Sequence, residues 1–523
     1  MHCGRIVPKG LLRLCCLLNT LAQRCDNARV SLPADSSDGI LQAECALKRL
    51  NGMDAMLLYS ETPNLHTHTL KVAVVDTTHY EGEFTFELVR RTLGDRLHLL
   101  DPLRYELVDV PWRLHHPMWL ENCDVDLDYH LRRVTVPAPG GRRELDQVIG
   151  QVASAPLQRD RPLWEFHFAE GLADHKFALI GKIHHALADG VASANLLARA
   201  MDPKESVPPG GAQGTAGAPP PGAELLRAAG RDHLRQIAAL PAVVKDAASG
   251  FRRMRRRSRE RVRQPDLARP LQAPPSFINH VVSPARRFAT ATLSLAQVKE
   301  TAKHLQITLN TVVLAIAAGA LRELLLRYDG RADRPLVASI LASTVKSPNR
   351  ISGNELSGMP VSIPVHIDDP AERVRLTALA DAIAKENYEL LGPETYGKLV
   401  TYLPTIVAPS ALRWLSKRSD RNRLFNLPIS NVPGPRERGR FGGAPVSEIY
   451  SAGPLPPGCG INITVWSYGE QLNISVIADD GTLGDTHEVT DAMFHAFSEI
   501  RKASGLSEEL IEVRTAMPRA AAF

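Results

Sequence analysis

Residues 203–222, PKESVPPGGAQGTAGAPPPG, carry so much Pro and Gly that they read as an irregular linker rather than as a helix or a strand. A break of this kind in a chain of 523 residues, too long for one ordinary core, predicts two bodies that bury their apolar side chains separately. The reading places an N-terminal domain over 46–202, a linker over 203–273 that joins the Pro/Gly stretch to a helical, basic segment, a C-terminal domain over 274–512 and a tail over 513–523. Residues 1–45 have no sustained period and are expected to form a poorly ordered extension.

The two halves share one pattern, short apolar runs alternating with helical segments. In the first, TLKVAVVD (69–76) and KFALIGKI (176–183) are strand-like, and FTFELVRRTLGDRLHLL (84–100) is helical. In the second, RRFATATLSL (286–295) and LVASILAS (336–343) predict strands, and LNTVVLAIAAGALRELLLRY (309–328) predicts a buried helix. GINITVWSYGEQLNISVIADD (460–480) predicts a hairpin turning at Tyr468-Gly469-Glu470. The expected fold class is mixed α/β, with two similar units whose interface is a natural place for a pocket.

Composition sets outer limits. With 44% hydrophobic and 23% charged residues, wholesale disorder is excluded. A net charge of +5 is too small to indicate a nucleic-acid partner, and none is expected. The basic run RRMRRRSRERVR (252–263) reads as a solvated helix face, as a contact for anionic lipid head groups or as a phosphate-binding segment. Cys3, Cys15, Cys16, Cys25 and Cys45 crowd the first 45 residues, and only Cys123 and Cys459 follow. Their spacing offers neither a disulfide framework nor a zinc site, which points to a reduced, cytoplasmic compartment. Arg13 interrupts the apolar segment at 11–18 and no small-residue cleavage site follows, so no signal peptide is expected. No uninterrupted apolar run reaches the roughly 18 residues of a spanning helix, and any membrane contact is expected to be peripheral.

In KFALIGKIHHALADG, strand alternation runs to Ile183 and helical character resumes with VASANLLARAM, so His184 and His185 fall on the connection. A residue at a strand end can be held rigidly and still project into a cleft. Asp189 is suited to cap the following helix or to hold a neighbouring cation, and Gly190 to a backbone path that a Cβ would resist. Read alone, the pair fits ordinary loop histidines as well as a catalytic base. Adjacent histidines point different ways and no third ligand stands at useful spacing, so no metal is expected.

The HHxxxDG stretch, with RPLWEFHFAEGL (161–172) ahead of it, closely resembles the bacterial wax ester synthase / acyl-CoA:diacylglycerol acyltransferase family of the mycobacterial triacylglycerol synthase type. DAMLLYSETPN (54–64), 124–165, GNELSGMPVSIPV (353–365), SNVPGP (430–435) and GINITVWSYGEQL (460–472) are similar to further segments, so the likeness covers about 46–512. It implies two chloramphenicol-acetyltransferase-like domains with a tunnel at their interface and His185 as general base, supported by His184, Asp189 and the turn at Gly190. It also implies acyl-CoA as co-substrate with no other cofactor. The expected acceptor is diacylglycerol or a long-chain alcohol, at the inner membrane or a lipid-droplet surface. Where the family has an Asn-Asp pair at a helix start, this chain has Asn310 followed by Thr311. Asn310 is then a candidate oxyanion donor or helix cap, and Thr311 a departure. Pro162–Trp164, the NVPGP turn, Trp466 and Tyr468 are read as packing and shape. The alternatives are an enzyme of this fold with another acceptor or a carrier-bound donor, and a weakly active lipid-binding or droplet-coating paralogue.

Overall fold

The computed structural model describes residues 47–202, 221–262, 264–269, 272–343, 349–417, 424–514 and 516–517. All belong to one compact unit, Ala43–Phe523. The expected N-terminal extension, most of the Pro/Gly linker and part of the tail lie outside the described residues.

Strands and helices are numbered in chain order. A small antiparallel sheet joins β1 (Leu47–Arg49), β3 (Glu106–Val108) and β4 (Met118–Leu120). The first large sheet is built from β2 (His68–Asp76), β5 (Leu131–Thr135), β6 (Trp164–Glu170), β7 (Lys176–His184), β12 (Arg440–Phe441) and β13 (Ala444–Ala452), in the spatial order β12-β13-β2-β7-β6-β5. The second contains β8 (Arg286–Ser294), β9 (Leu336–Ser343), β10 (Leu356–Ile363), β11 (Leu427–Val432), β14 (Ile461–Tyr468) and β15 (Gln471–Asp479), in the order β10-β9-β11-β14-β15-β8. The helices are α1 (Gly52–Ser60), α2 (Phe86–Arg96), α3 (Leu127–His130), α4 (Arg142–Ser154), α5 (Gly190–Ala200), α6 (Gly222–Glu260), α7 (Leu295–His304), α8 (Leu309–Tyr328), α9 (Pro370–Leu391), α10 (Thr395–Val400), α11 (Ala408–Ser416) and α12 (His487–Ala503).

The period of two sorts the side chains of β2 onto two faces. Leu70, Val72 and Val74 pack with Val148, Ile149 and Val152 of α4. Ala73 and Val75 face the other way, among Val89, Met201 and Phe441. In the second half α8 is apolar and buried all round from Val312 to Leu321, as an enclosed segment must be, before its last turn reaches the surface, and it packs in the core against α12, α9 and α7. By length and composition α8 is also apolar enough to cross a membrane, but its burial inside the structure makes it a core helix.

Space departs from chain order at one point. β13 pairs antiparallel with β2, from Val446 opposite Val75 to Ala452 opposite Leu70. Residues 440–452, which the sequence reading gave to the C-terminal domain, therefore complete the first sheet. The reason is the edge of β2 away from β7, whose backbone donors and acceptors need a partner.

The halves also meet through α4, which lies against β8. Arg142 of α4 donates to Glu448 Oε2 (2.9 Å), to the Tyr450 hydroxyl (2.6 Å), to Thr290 Oγ1 (2.9 Å) and to the Met517 carbonyl (2.7 Å). Asp146, one turn on, accepts from the Thr290 backbone N–H (2.8 Å) and pairs with His487 Nε2 (3.0 Å). These groups are buried, so each relies on the others for the hydrogen bonds that water would supply. Removing one partner leaves a buried charge uncompensated. Arg142→Ala is expected to lower unfolding stability by about 3–5 kcal/mol, read as a shift of the urea midpoint.

Candidate active site

β2 and β7 pair with His68 opposite His184, so His184 closes β7 and His185 is the first residue beyond it. Both backbones are pinned. The His184 N–H donates to the Leu163 carbonyl, and the His185 N–H donates to the Thr67 carbonyl, each at 2.9 Å.

The His184 ring faces inward. Its Nδ1 accepts from the Ala186 N–H (3.0 Å), which leaves the proton on Nε2, directed at Thr67 Oγ1 (2.9 Å) and Glu61 (3.3 Å). Burial alone would raise the pKa of Glu61, but the His184 ring and the Arg159 guanidinium hold it well below the usual carboxylate range. His184 is thus fixed in the turn by bonds at both nitrogens.

Asp189 is the N-cap of α5 and its side chain is fully used. Oδ1 accepts from the Ala192 N–H (3.0 Å); Oδ2 accepts from the Glu355 N–H (2.9 Å) and from the Arg350 guanidinium. Arg350 and Glu355 belong to a segment of the second half that lies along this loop like a strap. Gly353 N–H donates to the Leu187 carbonyl (2.7 Å), and the Asp189 N–H donates to the Gly353 carbonyl (3.2 Å). Asn354 Nδ2 donates to the His185 carbonyl and to Asp54 Oδ1, both at 2.7 Å. Burial, only partly offset by these bonds, pushes Asp54 up to about 7.

His185 is therefore held on both sides of its own backbone, while its ring is left free to work. The residue is 7% exposed. Nδ1 is sealed in without a partner, so the access that the ring retains lies on its Nε2 side. Burial lowers its pKa, the carboxylate of Asp189 opposes this, and the nearby Lys71 cation adds to the lowering; the net direction is down. The imidazole is neutral near pH 7, the state in which it accepts a proton.

An apolar cavity lies on the odd-numbered face of β2. Leu93, Leu103, Leu131, Phe166, Leu196 and Phe441 line it, with Lys71 and Ser193 among its few polar groups. It sits under the first sheet, beneath α2 and α5, rather than along the seam between the two sheets where the tunnel was expected. The strand crossover explains part of this, because Phe441 and Val446 bring the second half of the chain into its wall. Lys71 Nζ is buried, donates to Ser451 Oγ (2.6 Å) and stands 5.2 Å from the Trp466 ring. Burial pushes its pKa down to about 7.

The remaining sequence candidates fall out as follows. Gly190 is the first residue of α5; a Cβ there would stand 3.2 Å from the Val432 side chain, so close approach, not an unusual backbone path, is what asks for glycine. Asn310 does not cap α8. The cap is Thr308, whose hydroxyl accepts from the Thr311 N–H (3.1 Å). The Asn310 amide is directed at Asp381 of α9 (3.5 Å), and no hydrogen bond joins it to the His185 loop among the described residues. The Thr311 hydroxyl donates to Asp381 Oδ2 (2.8 Å), and Lys385 donates to the same oxygen (2.8 Å). A carboxylate thus stands at this helix start after all, supplied by another helix. Trp164 is fully buried, with its indole N–H on the Leu103 carbonyl (2.8 Å); Trp466 and Tyr468 are core. Among the described residues no group of three or more His, Cys, Asp or Glu is placed to hold a metal.

Arg350, Asn354, Asp54 and Lys71 were not singled out in the sequence. Lys71 left a trace, a lone cation on the strand face it shares with Ala73 and Val75. Arg350 and Asn354 reach the histidine loop from 161 and 169 residues away, and Asp54 reaches it only through Asn354, with no local signal.

Comparison with known proteins places this geometry. Residues 50–313 match the model of the wax ester synthase/diacylglycerol acyltransferase catalytic domain, and residues 352–501 match that of the WS/DGAT C-terminal domain. A Mycobacterium tuberculosis chain, provisionally named a diacylglycerol O-acyltransferase, is 54% identical over 476 residues, covering 91% of this chain and 100% of its own. The O-acyltransferase WSD of Acinetobacter baylyi is 30% identical over 416 residues, 77% of this chain and 87% of its own. The solved wax ester synthase/diacylglycerol acyltransferase from Marinobacter aquaeolei VT8 shares the fold, with a TM-score of 0.63 at 24% identity over 88% of this chain and 100% of that one.

Restoring the acidic residue at Thr311 sets a second carboxylate against Asp381. Like charges at hydrogen-bond distance disfavour joint ionisation. Thr311→Asp is expected to lower stability by about 1–3 kcal/mol with no gain in turnover, measured by thermal melting and initial rates.

Proposed function

The chain belongs to the wax ester synthase/diacylglycerol acyltransferase family, and from that premise we propose that it moves the acyl group of an acyl-CoA onto the hydroxyl of diacylglycerol, or of a long-chain alcohol, with His185 as general base. It is an O-acyltransferase. The observation that carries the assignment of the base is the His185 ring: buried, sealed at Nδ1 and open on its Nε2 side, two residues beyond Ile183 and near the Lys71 cation, both of which line the apolar cavity.

The chemistry follows from that ring. Nε2 takes the proton of the acceptor hydroxyl while its oxygen attacks the thioester carbonyl carbon. The tetrahedral intermediate collapses, the carbon–sulfur bond breaks and CoA leaves as its thiolate. The imidazolium returns the proton to the sulfur, giving an ester and free CoA without an acyl-enzyme. General base catalysis of this kind typically supplies about a hundredfold to ten-thousandfold. A largely apolar pocket adds positioning and keeps water from the thioester. The strap from the second half supports the same reading, since a ring whose backbone is bonded on both sides loses little freedom at the moment of attack.

A weakly active lipid-binding or droplet-coating paralogue was suggested by Thr311. Asp381 at the same helix start weighs against it. Placement in the cytoplasm, in peripheral contact with the inner membrane or lipid droplets, belongs to this proposal and is supported by the lipid acceptor and by cysteines that offer no disulfide framework.

His185→Ala is expected to lower kcat by about a hundredfold to ten-thousandfold with palmitoyl-CoA and either acceptor, read as triacylglycerol or wax ester formed. Unchanged product formation overturns the assignment of the base. Because burial depresses the imidazole, the acid limb of kcat/KM is expected below the ordinary value of about 6.5. Lys71→Met removes a cation that disfavours the imidazolium, so that limb should move up in pH. A limb that stays in place argues that Lys71 does not act on His185.

A further inference from the structure

We propose that the outer ridge of α6, with the two loops it ties down, is a docking surface for an anionic lipid bilayer. This rests on the proposed transfer to a lipid acceptor and adds where such an acceptor would be met.

Along its 39 residues α6 buries only Leu225, Ala229, Ala247 and Gly250. Ile237, Val244, Phe251, Arg255 and Arg259 recur at steps of seven, seven, four and four, which keeps them on one helical face. That face is exposed throughout, with Ile237 at 66% and Val244 at 54%. It runs from apolar to cationic along the helix axis.

The apolar end is continuous with its neighbours. The His233 ring pairs with the Leu114 carbonyl (2.5 Å), the Tyr402 hydroxyl donates to the Gln236 carbonyl (3.0 Å), and Thr405 Oγ1 donates to the Arg113 carbonyl (2.6 Å). These bonds seat the segments that carry Trp112 (77% exposed), Ile406 (62%) and Val407 (59%) next to the stretch of α6 that carries Ile237. An exposed apolar patch gathered from three separate segments is more than the scatter expected of a surface that meets only water.

The cationic end separates into two sets. Arg253 donates to the Leu390 carbonyl (3.0 Å), and Arg257 and Arg261 pair with Glu386, so these three anchor the helix to α9. Arg252, Arg255 and Arg259 are exposed, and among the described residues none of them bonds α9. Within 252–261 the one acidic residue is Glu260, which lies 3.7 Å from Arg256. Apolar side chains including a Trp, continuous with arginines on one helix, match the boundary between acyl chains and anionic head groups. The positive charge selects the bilayer over an apolar protein groove.

The test is co-sedimentation of the full chain with vesicles of phosphatidylglycerol and phosphatidylcholine in equal parts, against phosphatidylcholine alone. Binding should favour the anionic vesicles and weaken with added salt. Arg252→Gln/Arg255→Gln/Arg259→Gln should weaken it by about a hundredfold, and Ile237→Glu/Ile406→Glu should abolish it. All of these variants should turn over palmitoyl-CoA with a short, water-soluble alcohol at the wild-type rate, which separates failure of docking from failure of the chemistry. Equal binding to neutral vesicles, or variants that bind like wild type, overturns the proposal. So does a wild-type dimer in solution that Ile237→Glu/Ile406→Glu dissolves, since the occupant would then be a second copy.

Discussion

The ion pair between Asp189 and Arg350 is the interaction on which the site depends. Asp189 is wholly buried, and a carboxylate there is tolerable only if its charge and lone pairs are met. Arg350 supplies the charge, and the Ala192 and Glu355 N–H groups supply the rest. One group comes from the helix that follows the histidines and two come from the strap. The carboxylate therefore sets the start of α5 and the path of residues 350–355 together, and through Asn354 that path reaches the His185 carbonyl.

This arrangement divides the work between the halves of the chain. The first contributes the histidines and most of the cavity. The second contributes the strap, the strands β12 and β13, and the buried partners of Arg142 and Asp146. Neither half completes the His185 loop alone, because that loop has bonds to Thr67 on one side and to Gly353 and Asn354 on the other. A displacement of the second sheet would be felt as a change in the base rather than as a loss of it. This gives residues far from the cavity a route to the chemistry.

How much of this was legible in the sequence follows the range of the interactions. Periodicity over a few residues placed β2, β7, β8, β9, α8 and the β14–β15 hairpin within a residue or two, because strand alternation and helical stripes are local. HHxxxDG marked the strand-to-helix turn and its capping aspartate for the same reason. Asn310 was one candidate for the cap of α8, and Thr308 takes that place, since either residue type can cap until the bond to the Thr311 N–H is seen. The crossing of β13 was hidden, because an edge strand records the need for a partner but not its identity. Arg350 stands 161 residues from Asp189, and Asn354 stands 300 from Asp54. Contacts at that separation leave no periodic mark. The position of the cavity under the first sheet depended on the same long-range crossings.

The central claim is that the pair from Asp189 to Arg350 acts as one unit to hold His185 in place. A double-mutant cycle on kcat/KM tests it, with Asp189→Asn, Arg350→Gln and the two together in folded protein. The account predicts that either single change costs nearly as much as both, because each alone releases the strap. Losses that simply add would contradict it, and would mean that the two residues serve the reaction independently.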